Sequence, residues 1–93
     1  MKHHIIVKFV PGTDVSALLE PVRAIFAGTL SIPGVHGLEL KSSCIDRPNR
    51  YDLMIVLDMD PEALPAYDAS EPHRRWKSEY GAVVERKAIF DCE

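Results

Sequence analysis

Residues 3–10 alternate on a two-residue period, with His3, Ile5, Val7 and Phe9 on one face and His4, Ile6, Lys8 and Val10 on the other. The run is rich in β-branched residues and stops at Pro11-Gly12, which predicts a strand closed by a turn. Both faces are largely apolar, so both are expected to be covered. The period then changes. Val15, Leu18, Leu19, Val22, Ile25, Phe26 and Leu30 recur at three- and four-residue steps behind Asp14. They predict a capped helix with one core-facing stripe, ending near Gly28. Pro21 lies inside it, cannot donate to the carbonyl of Ala17, and is expected to bend it.

Alternation returns at residues 34–45, where Val35, Leu38 and Leu40 are apolar and Gly37 marks a possible bulge in a second strand. A polar turn at residues 46–50 leads to a near-unbroken apolar run, Tyr51 to Met59, which predicts a central strand covered on both sides. Asp60-Pro61-Glu62 starts a helix with Asp60 as its cap, and Pro65 keeps that helix short. Ser70-Glu71-Pro72 restarts a helix carrying His73, Trp76 and Tyr80, which Gly81 closes before a last strand over residues 83–90.

The order βαββαβ predicts an α+β domain spanning residues 1–93, an antiparallel four-stranded sheet with both helices on one face. The other face, with Ile6, Val10, Met54, Val56 and Met59 as candidates, finds no third layer in this chain. Pairing with an identical sheet by two-fold symmetry covers it and predicts a homodimer of the dimeric α/β-barrel type.

Composition narrows the function classes. A chain of 93 residues hides only roughly 60 to 65% of the surface its unfolded form exposes, so a second copy also helps stability. A net charge of -3 offers no basic field for a phosphate backbone, and no nucleic-acid partner is expected. Cys44 and Cys92 have neither metal-ligand spacing nor a disulfide framework, which points to a reducing cytoplasm. The N-terminal apolar patch is too short for a signal core or a membrane span, so no membrane association is expected.

Several segments, in order along the chain, resemble the stress-responsive A/B barrel family, called Dabb. They are residues 2–9 (KHHIIVKF), 31–35 (SIPGV), 51–53 (YDL), 63–67 (ALPAY), 71–73 (EPH) and 88–91 (AIFD). The resemblance implies a ferredoxin-like fold paired into a dimeric α/β barrel. The family includes plant polyketide cyclases of the olivetolic acid cyclase type, which use a histidine and a tyrosine around the second helix. Those positions match His73 and Tyr67, and His3 matches a further pocket histidine on the first strand. Substrate-lining positions are expected at Ile5, Val7, Ile25 and Val84; the last two stand where the cyclases carry an aromatic residue and a tryptophan. The family's His-Pro-x-His reads Ser70-Glu71-Pro72-His73 here, with the proline moved by one position.

The chemistry open to these residues needs no cofactor. In the first turn of a helix the dipole favours a neutral imidazole, so His73 is a usable general base. Tyr67, six residues earlier, faces elsewhere on an unbroken helix, but the break around Ser70 to Pro72 allows the two to converge. His73 is then expected to take a proton next to a carbonyl, Tyr67 to donate to the developing oxyanion, and His3 to orient substrate or proton. The chain is read as a small homodimer binding a small, partly apolar molecule in the cleft between sheet and helices. The alternatives are a cofactor-free cyclase, isomerase or lyase built on His73 and Tyr67, and a cofactor-free monooxygenase.

Other residues draw plainer expectations. His3 and His4 point to opposite faces and cannot chelate one metal together. His36 is expected at the surface or in a dimer contact. Cys44 is expected as a small buried hydrophobe, the Arg47 and Arg50 turn as solvated, and Trp76 as core rather than a nucleic-acid stacking platform.

Overall fold

The computed structural model describes residues 1–93. Its strands are β1 (Lys2–Phe9), β2 (Val35–Ser42), β3 (Leu53–Met59) and β4 (Val84–Cys92), and its helices are α1 (Val15–Ala27), α2 (Leu64–Asp68) and α3 (Glu71–Tyr80). The strands form one antiparallel sheet in the order β2-β3-β1-β4, the ferredoxin-like arrangement expected from the pattern. The expected bulge in the second strand is a register shift between Val35 and Gly37.

Period two decides which side of each strand is buried. Ile5, Val7 and Phe9 of β1 and Leu53, Ile55, Leu57 and Met59 of β3 all sink into the layer beneath the helices. Met59 therefore belongs to the inner face and not to the outer one, because it falls on the same parity as Leu57 and Ile55. Val22, Ile25 and Phe26 of α1 close the layer from above, and the Phe26 ring meets Trp76 of α3 edge to face at 5.5 Å. Burying each such ring stabilises the fold by roughly 1.5–3 kcal/mol, so this contact fixes α1 against α3.

Asp14 caps α1 by accepting from the Ala17 N–H, and the helix continues through Pro21, which lies on its exposed side. Leu30 leaves the predicted stripe: it sits in a 3-10 turn (Gly28–Ser31) and is 47% exposed. Asp60 precedes the short turn Pro61–Ala63 but makes no side-chain cap; its Oδ1 lies 3.0 Å from His36 Nε2 instead. Cys44 is exposed in the β2–β3 connection, because the irregular chain there turns it away from the core.

The outer face carries His4, Ile6, Met54, Val56, Ala88 and Phe90. Ile6 stands between Met54 and Ala88, and His4 between Val56 and Phe90. Phe90 is 60% exposed. The Lys2–Asp58 ion pair at 3.1 Å bounds one end of this apolar row. Val10 lies beyond the end of β1, where its N–H donates to the Val83 carbonyl. No helix is long and apolar enough to cross a membrane.

Candidate functional site

On β4 the inner-face residues are Lys87, Ile89 and Asp91, set opposite Val7, Ile5 and His3 of β1. β4 is an edge strand, and the helices cover β1 and β3 more completely than they cover it. Ile89 is left 50% exposed as a consequence, although its face is the apolar one. The gap is a cavity of about 570 Å³. β1 contributes His3 and Ile5 to it, α2 Leu64, Tyr67 and Asp68, α3 His73, Trp76 and Lys77, and β4 its three inner residues.

The helical break does what the sequence required of it. Chain direction changes at Ala69 and Ser70, where Ser70 caps α3 by accepting from the His73 N–H and its hydroxyl donates to the Tyr67 carbonyl at 2.6 Å. Tyr67 and His73 are thereby brought edge to face, ring centres 5.0 Å apart, and His3 meets the other side of Tyr67 at 5.4 Å. Tyr67 is the middle member of a three-ring cluster.

Tyr67 is only 2% exposed. Its hydroxyl has no hydrogen-bond partner within the chain, yet no side-chain nitrogen or oxygen is sealed away without one, so the hydroxyl must open on the cavity. Burial, with the Asp68 charge adding to it, pushes the phenol well above its ordinary pKa and keeps it a donor. His73 is shifted the other way. Burial and the Lys77 ammonium lower its pKa against the opposing pull of Asp68, so the imidazole is neutral near pH 7.

His3, 5% exposed, places Nδ1 2.5 Å from Asp91 Oδ1. A carboxylate accepts, so the proton of this bond sits on His3 Nδ1. Sequence reading missed Asp91, since its place beside His3 depends on the β1–β4 register, and that register shifts between Lys8 and Phe9. Lys87 and Ile89 were missed for the same reason, whereas Lys77 lies four residues after His73 on α3, so helical spacing was the signal that could have found it.

Of the expected substrate-lining residues, Ile5 reaches this cavity and Val7, Ile25 and Val84 do not. Val7 and Ile25 are closed into the core, and Val84 lies half-buried opposite Phe9, beyond the cavity's end of the strand. A second cavity of about 620 Å³ lies between the Pro11-Gly12 turn and the Ser43–Asp46 segment and contains none of the three aromatic site residues.

No family model matches this sequence, and no curated protein matches it. Solved structures do match in fold. A dimeric ferredoxin-like protein of unknown function from Thermobifida fusca superposes with a TM-score of 0.78 at 15% identity, over 96% of this chain and 85% of that one. A Dabb family protein with a ferredoxin-like fold from Mesorhizobium loti gives 0.70 at 16%, over 99% and 93%. The hydroxynitrile lyase of Passiflora edulis gives 0.71 at 11%, over 96% and 87%. At these identities the likeness establishes the ferredoxin-like fold, and it agrees with the Dabb resemblance of the sequence.

Proposed function

We propose that this chain is a homodimer that binds a small, partly apolar carbonyl compound between sheet and helices and moves a proton on the carbon next to that carbonyl. The observation that carries this reading is the Tyr67 hydroxyl, unpartnered at the cavity wall and flanked by the rings of His3 and His73. Dimeric proteins among those of the same fold support the pairing, as does the apolar outer row with Phe90 at its edge. Both cysteines are free, in keeping with a reducing cytoplasm.

The chemistry follows from the protonation states. Tyr67 donates to the carbonyl oxygen and strengthens that bond as negative charge builds there, an effect worth about 10²–10³ in rate for one such donor. His73, held neutral, accepts the proton from the adjacent carbon, and a positioned base contributes about 10²–10⁴. His73 returns the proton it took, while His3, fixed by Asp91 and packed on the Tyr67 ring, orients the bound compound. Leu64, Trp76 and Ile89 give the cavity an apolar lining against which the apolar part of the compound packs. A lyase with this fold, the Passiflora edulis hydroxynitrile lyase, is in keeping with proton-transfer chemistry on such a scaffold.

The second reading is a binder without turnover, favoured by the edge-to-face contacts, which also pack α2 and α3 onto the sheet. Deuterium incorporation from solvent into the C2 position of methyl benzoylacetate, followed by NMR, separates the two. Exchange above the buffer rate is expected; bound ester without exchange leaves the binder.

A further inference from the structure

Lys77 and Lys87 both line the His3–Tyr67–His73 cavity, yet neither ammonium makes a salt bridge or a hydrogen bond. They come from different elements. Lys77 stands four residues after His73 on α3, hence on the same helical face, while Lys87 is two residues before Ile89 on the inner side of β4. Two carboxylates share the wall. Asp91 is occupied by His3, and Asp68 stands beside Tyr67 on α2, out of ion-pair range of either lysine. Neither lysine is ion-paired, so both ammonium groups on the α3–β4 side stay open to a bound anion, beside the Asp68 and Asp91 carboxylates of the same wall. Both ammonium charges reach His73, where each disfavours the imidazolium.

Resting on the proton-transfer reading above, we propose that Lys77 and Lys87 form the anion-binding end of the cavity and that its substrate is a small carbonyl compound carrying a carboxylate. The carboxylate seats between α3 and β4, the apolar part lies over Ile89 and Leu64, and the carbonyl points to Tyr67. In a β-keto acid the carbonyl and the carboxylate flank one CH₂ group. Removing its proton makes a dianion, and two nearby ammonium groups offset the second negative charge as well as binding the first. No electrons are gained or lost: the C–H bonding pair stays on the substrate as enolate, and the proton goes to His73.

The test is calorimetric binding of benzoylacetate and of its uncharged methyl ester to the full chain. At low salt the wild type is expected to prefer the acid about tenfold, the yield of two partly exposed charge pairs. The preference should shrink as salt is raised, vanish in the Lys77→Gln/Lys87→Gln double variant, and survive in Lys77→Arg/Lys87→Arg. Both lysines are exposed, so the variants should melt with the wild type. The proposal is overturned by equal affinities in the wild type, by a preference that persists in the double glutamine variant, or by no binding of either compound. Exchange on the neutral ester reports the proton-transfer reading separately: ester exchange without acid preference drops the anion site alone, and acid preference without exchange drops the chemistry alone.

Discussion

The rings of Tyr67 and His73 meet edge to face at 5.0 Å because Ser70 breaks the helix between them, bonding to both segments at once. Replacing Ser70 by Ala removes the α3 cap and the link to the Tyr67 carbonyl. The expected cost is about 1 kcal/mol, which lowers the melting temperature by about 4–8 °C for a domain of this size. An unchanged midpoint in thermal or urea unfolding would show that Ser70 does not set this junction.

Asp91 to Asn tests the histidine partner across the sheet. The carboxamide can donate to Nδ1 and so stabilise the opposite tautomer, moving the proton to Nε2. Nitrogen NMR of His3 should show the switch, and proton transfer in the cavity should slow. The Asp91 side chain is 39% exposed, so stability should change little. If His3 keeps its proton on Nδ1 in the variant, Asp91 does not set the tautomer.

The pH dependence follows from His73. Its folded pKa lies below the ordinary 6.5, so between the two values the unfolded chain binds more protons than the folded one. The contribution of this group to stability is therefore complete above pH 6.5, declines as pH falls below it, and levels off beneath the folded pKa. Proton NMR of the His73 ring should give a midpoint under 6.5. A midpoint above that value would remove the case for a neutral base.

The outer face makes a separate prediction. Placing Asp at Phe90, which is 60% exposed in the single chain, should cost the monomer little and oppose pairing. Light scattering should give the wild type a mass of two 10.4 kDa chains and Phe90→Asp a mass of one. A wild type of single-chain mass at micromolar concentration would contradict the self-pairing.

How much of this was legible in the residues depends on how local the controlling interaction is. The β1 alternation, the α1 stripe and the apolar run of β3 were readable because each is a property of one segment and its period. Tyr67 and His73 were singled out by the family resemblance, and the serine and proline between them announced the break that lets the two rings meet. Met59 was misassigned although the two-residue period sets it on the side opposite Met54 and Val56, because in a run apolar on both sides residue type does not mark the parity. Cys44 was misplaced because residue type alone does not tell where a connection turns. Asp91 and Lys87 were invisible for a related reason: a bulge between Lys8 and Phe9 shifts the pairing, and only the paired sheet puts them opposite His3 and Val7.

The central claim is that Tyr67 and His73 act together on a bound carbonyl compound, and deuterium exchange at C2 of methyl benzoylacetate tests it most directly. Tyr67→Phe keeps the ring packing and deletes only the hydroxyl; His73→Ala deletes the base. Relative to wild type, the account predicts a loss of about 10²–10³ for the first and about 10²–10⁴ for the second, with both proteins still folded. Exchange by both variants at the wild-type rate would contradict it.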